Sequence, residues 1–151
     1  MSAALLVLGS LLMTQAPGCP IHDFRKVPPD AFGAQTWNAL YRSFRKYEAC
    51  DRGGEPSYSY DEDVIRLLVH RWQDFHEAAS LFRKSPAFLR FVEKHVDAVA
   101  LEGDLHAVGA NARERCPEGM GKVCERLTAR VKAALDEQAA VRVDAARHVQ
   151  Q

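Results

Sequence analysis

The residues able to do chemistry in this chain are six histidines, four cysteines and many carboxylates. The histidines are His22, His70, His76, His95, His106 and His148. None forms HExxH, and no two sit four apart on one helical pattern, the spacing that puts two imidazoles on one face. A metal site would have to gather its ligands from separate elements. His95 is set apart by its place in an apolar stripe. That place suits a core or interface histidine satisfied by hydrogen bonding, or a pH-sensitive imidazole that contacts a partner. Asp97 lies two residues on and therefore on another face, so the two are not a dyad. No GxSxG is present to frame a serine nucleophile. A cysteine nucleophile would need a free thiol of lowered pKa beside a histidine. Asp61, Glu62 and Asp63 are acidic neighbours at a helix start, where helix polarity accounts for them. Gly53-Gly54 is followed by no GK[ST], so it is not a phosphate loop. The expectation is a chain that is not an enzyme, with no catalytic residue, metal or cofactor.

Cys19, Cys50, Cys116 and Cys124 are the disulfide candidates. An even cysteine count in an exported chain reads as disulfides, and four cysteines allow three connectivities. Cys116 and Cys124 frame CPEGMGKVC, a breaker-rich corner that a bridge would staple. Cys19 would then pair with Cys50, or stay single if lipidated. The rival is Cys50 bonded to Cys116 or Cys124. The export reading rests on Ala3 to Met13, an apolar run too short to cross a bilayer, followed by small residues at Ala16 and Gly18. It predicts a signal peptide over 1–18 and a periplasmic domain over 19–151. Two features depart from the pattern. The leader carries no Lys or Arg, and Ala16 stands where a lipid-modified cysteine is usually preceded by a Leu-like residue. Membrane anchoring is expected only through a lipidated Cys19. The competing reading makes Met1 to Ala16 a buried helix.

The elements that must position these groups are helical. Five patterns follow in order. The first opens after Val27-Pro28-Pro29-Asp30, with Asp30 as N-cap, and carries Trp37, Leu40, Tyr41, Phe44 and Tyr47. A second runs from Asp61 through Val64, Leu67, Leu68, Trp72, Phe75, Ala79 and Phe82 at one-face spacing. Ser85-Pro86 caps and starts a third, striped by Phe88, Phe91, Val92, His95, Val96 and Val99. Glu102-Gly103-Asp104 separates a fourth, with Leu105, Val108, Ala112 and Cys116. The fifth carries Leu127, Val131, Ala134 and Leu135, and 139–151 is expected to fray or project. No strand-period alternation persists. The fold class is therefore all-α, a compact bundle of about five helices with disulfides.

Lys plus Arg total 20 and Asp plus Glu total 20, so no basic surplus points to nucleic acid or an anionic membrane. Arg42, Arg45 and Lys46, with Arg25 and Lys26, read as a solvated face or one turned to lipid headgroups. The stretch Cys50 to Asp63 reads as a loop that mixes glycines, tyrosines and acids. Tyrosine on an adaptable loop is contact chemistry, and acid steers a basic partner. Glu55, Tyr58, Tyr60 and Asp61 are therefore the partner-binding candidates.

The segments ACD (Ala49 to Asp51), PAFLRFVEKHVD (Pro86 to Asp97) and NARERCP (Asn111 to Pro117) lie in a chain that resembles small exported envelope proteins of Gram-negative bacteria. In build it is similar to periplasmic immunity proteins, which neutralise toxins delivered by secretion systems. The resemblance implies a protein-binding module whose partner is a secreted enzyme. A structural or chaperone-like envelope protein is the alternative. No functional residue carries over from it.

Overall fold

The structure, a computed structural model, describes residues 18–21, 23–51 and 55–149. The expected leader lies almost wholly outside these. Among the described residues six helices follow: α1 Trp37–Tyr47, α2 Glu55–His70, α3 Phe75–Lys84, α4 Pro86–Lys94, α5 Glu102–Glu114 and α6 Gly121–Val149. Single 3-10 turns cover Phe24–Lys26, Glu48–Cys50 and Trp72–Asp74. No strand occurs among the described residues, and none of their helices is long and apolar enough to cross a membrane.

The sixth helix comes from a break inside the expected second one. No Gly or Pro marks it. Arg71 leaves the helical region at φ −123°, and the 3-10 turn swings Trp72 into the core. There the indole stacks on Phe75 at 4.4 Å, and Nε1 donates to the Arg115 carbonyl at 2.8 Å. Burying a large aromatic with its N–H satisfied outweighs one interrupted helical turn. α1 also starts later than expected. Thr36, not Asp30, is its cap, accepting from the Ala39 N–H at 3.1 Å. Asp30 instead accepts from Lys46 Nζ and Tyr47 Oη, both at 2.8 Å.

The apolar stripes converge on one core. Trp37, Phe75, Phe82, Phe88, Phe44, Phe91 and Tyr60 form a chain of tilted and edge-on rings, with centroids 4.9–6.5 Å apart. Offset and edge contacts are what ring quadrupoles favour. α5 and α6 form a close hairpin. A side chain at Gly109 would meet Val131 Cγ1 at 3.3 Å, so glycine permits that approach. α6 is 29 residues long, about 43 Å. It outruns α5, and residues 141–148 are all exposed.

Cys19 bonds Cys50 and Cys116 bonds Cys124, with S–S distances of 2.05 and 1.97 Å. The rival pairing of Cys50 is thereby replaced. A sulfur engaged in Cys19–Cys50 is not available to carry a lipid. The first bond ties the amino-terminal segment to the end of α1, and the second closes the α5–α6 corner. The bonds span 31 and 8 residues. Loop-closure entropy then predicts that replacing Cys19 and Cys50 by Ser costs about 3.5–4 kcal/mol, and replacing Cys116 and Cys124 about 2.5 kcal/mol. Urea unfolding of the two double variants checks the order. A larger loss from the short corner bond would contradict it.

Candidate functional site

α4 is fixed at its start by Ser85, whose Oγ accepts from the Phe88 N–H, and by Pro86 in the first turn. It ends at Lys94, which leaves His95 at the C-cap with 1% of its surface exposed. The imidazole is held on both sides. Nδ1 lies 2.5 Å from Asp61 Oδ1 on α2, and Nε2 lies 3.2 Å from Asp51 Oδ2, one residue beyond the Cys50 disulfide. Phe91 and Tyr60 pack on the ring at 4.5 and 5.6 Å. Asp51 is further held by Lys94 Nζ at 2.7 Å and by the Ser57 hydroxyl at 3.2 Å.

Ionised carboxylates only accept hydrogen bonds, so both ring nitrogens must donate, which requires the imidazolium. Burial opposes that charge. The hydrogen bonds and charges of Asp51 and Asp61 outweigh it and hold the His95 pKa above the ordinary 6.5. Burial likewise opposes the Asp51 carboxylate, but His95 and Lys94 bring its pKa below 3.8. Asp97 goes the other way, raised by burial and by the like charge of Asp61 despite a bond from the Val99 N–H. Among the described residues no group of three or more His, Cys, Asp or Glu is arranged to hold a metal.

A second carboxylate does a parallel job. Asp63 is buried and accepts from the backbone N–H groups of Gly33 and Ala34 at 2.8 and 3.0 Å. Gly33 sits at φ +79°, which a side chain would strain. Arg66 bonds both Asp63 and the Ala34 carbonyl, so the segment before α1 is pinned to α2. Glu93 is met by Arg126 at 2.5 Å, and its carbonyl by Arg130 at 3.0 Å.

The chain between α4 and α5 turns a tight corner. Gln138 of α6 supports it by donating to the carbonyls of Ala98 and Ala100 at 3.0 and 2.7 Å. This corner projects two apolar side chains, Val99 at 59% and Leu101 at 74% exposure. On one side it borders a groove of about 700 Å³ against α2, where Tyr58 is 55% exposed. On the other side it borders a recess of about 390 Å³ against α6, where Val141 is 63% exposed. The result is an apolar rim on a braced scaffold.

The expected contact loop is corrected. α2 begins at Glu55, so most of that stretch is helix, and Pro56 occupies a first-turn position where proline is tolerated. Tyr60 is fully buried, its hydroxyl 3.1 Å from Ser43 Oγ, and Asp61 is consumed by His95. Of the four partner-binding candidates Tyr58 alone presents a described, exposed side chain; the side chain of Glu55 lies outside the described residues. His95 does not join Asp97 but an acid from another helix. Val99, expected in a buried stripe, is exposed because α4 has already ended. Leu101 carried no sequence signal beyond preceding an acidic helix start. The expectation that the sequence holds no Ser-x-x-Lys is corrected by Ser43 and Lys46, which have that spacing. Ser43 donates to the Ala31 carbonyl and Lys46 pairs with Asp30, so neither is free to act as a nucleophile or base.

No family model, curated protein or solved structure matches this chain.

The stability of the fold is expected to depend on pH through this cluster. The folded pKa of His95 lies above its unfolded value, so its contribution is complete below about pH 6.5 and is lost as pH rises through the higher folded value. That of Asp51 is present above pH 3.8 and is lost as pH falls through its lower folded value. The His95→Gln variant is expected to lose about 3 kcal/mol near pH 6, since two buried carboxylates lose their cation. It should also lose the alkaline decline. Urea unfolding across pH checks both, and a wild-type profile that stays flat above pH 6.5 would contradict the assignment.

Proposed function

We propose that this chain is a non-catalytic protein-binding module that works in an oxidising, exported compartment, in the manner of an inhibitor or immunity protein that engages a secreted enzyme. The observation that carries this reading is the apolar rim of Tyr58, Val99, Leu101 and Val141. Large apolar side chains grouped on a soluble surface cost solubility unless a partner covers them. The rim stands on a rigid base. Gln138 braces the corner from α6, and His95 closes α4 just before it. A pre-ordered surface loses little entropy on binding, which favours tight association with one partner.

Two further observations support it. The two disulfides are compatible with an oxidising compartment. The His95 cluster resembles catalytic chemistry in its residue types, but the ring is enclosed and both its nitrogens are engaged. General acid–base work needs a ring nitrogen within reach of substrate.

The test is crosslinked capture from the host envelope with the tagged mature chain as bait. A second bait carries Val99→Asp and Leu101→Asp, both at exposed positions, with helicity checked by circular dichroism. One exported protein in near-equal amount is expected with the first bait and is expected to be lost with the second. A spread of weak partners, or a single partner that both baits retain equally, would overturn the reading.

A further inference from the structure

The groove beside the rim has a defined length, floor and charge. Its α2 wall is the line Tyr58, Glu62, Ile65 and Val69, at i, i+4, i+7 and i+11. That line runs about 17 Å, three helical turns. Ile65 and Val69 make an apolar floor. The facing wall is the corner with Val99 and Leu101, followed by Asp104 in the first turn of α5. No sheet edge exists among the described residues to take an added strand. A trough between a helix and an apolar corner instead accepts the apolar stripe of another helix.

The charges on the walls narrow the choice. Asp61 is spent on His95, and Arg66 is spent on Asp63 and the Ala34 carbonyl. Glu62 on one wall and Asp104 on the other have no ion-pair partner among the described residues. Each long side of the trough therefore presents an uncompensated carboxylate beside apolar surface.

We infer that this groove receives an amphipathic helix of a partner protein, with an apolar stripe flanked on both sides by lysine or arginine. This rests on the protein-binding reading and names the class of segment that is bound. The apolar stripe fills the floor between Ile65, Val69 and Leu101. The flanking cations meet Glu62 and Asp104, which sets orientation and rejects acidic helices.

The experiment uses the full chain and two synthetic peptides of about 14 residues, each with Leu at i, i+4, i+7 and i+11. One carries Lys on both flanks and the other carries Glu. Fluorescence anisotropy is expected to show saturable binding of the Lys peptide, with the Glu peptide weaker by about tenfold or more. The Glu62→Gln, Asp104→Asn double variant should lose about tenfold for the Lys peptide and much of its salt dependence. Leu101→Ser should weaken the Lys peptide without altering that salt dependence, which separates the apolar from the charged contribution. Equal binding of the two peptides, or an unchanged affinity in the double variant, would overturn the basic-helix assignment. So would the failure of both peptides to bind. Envelope capture that still depends on Val99 and Leu101 would then leave the protein-binding reading standing, whereas loss of that dependence would remove both.

Discussion

Burying an imidazolium is unfavourable unless its charge and both its N–H groups are met. In this protein three segments converge to meet those of His95. α2 brings Asp61, the residue after the Cys50 disulfide brings Asp51, and α4 ends so that the ring can turn between them. Lys94 supplies the second positive charge, so two cations face two carboxylates. An ensemble of this kind does not stabilise merely by existing, because desolvation offsets most of its attraction. What it supplies is uniqueness. In the observed packing Asp61 meets one ring nitrogen and Asp51 the other, so a shift of α2 against α4 would break the Asp61 bond.

The outer surface follows from that constraint. Because α4 stops at His95, the chain must cross to α5 through a short corner, and the corner leaves Val99 and Leu101 outside. Gln138 and the Arg142–Glu102 pair, at 2.8 Å, fasten it to α6. Asp63 and Arg66 pin the segment before α1 to the same helix that forms the groove wall. His95, Asp51, Asp61 and Asp63 are thus engaged with one another or with neighbouring groups, and apolar side chains with unpaired acids remain outside.

Much of the bundle was legible in residue spacing. Ser85-Pro86, the stripe from Phe88 to Val92, and the chain break between Cys116 and Cys124 read directly, because capping and periodicity are local, whereas the choice among three cysteine pairings is not. The break at Arg71 was not legible. It is made by an indole reaching a carbonyl 43 residues away, and no local residue signals it. The start of α2 is not legible, because Gly53, Gly54 and Pro56 look like loop punctuation, although proline in a first turn is compatible with a helix. His95 was recognisable as unusual. Its acids were not, since Asp51 and Asp61 lie 44 and 34 residues away and are brought near only by tertiary packing. The exposed rim escaped for the same reason. Val99 keeps the spacing of a buried stripe, and only the observed helix end turns it outward.

The protonation of His95 can be followed directly by nitrogen-15 NMR through a pH titration. Both ring nitrogens are expected to carry protons at pH 6, with the transition above the ordinary 6.5. A ring with one nitrogen free and titrating below 6.5 would contradict that assignment. The cluster would then have to be reconsidered as a site with an available base.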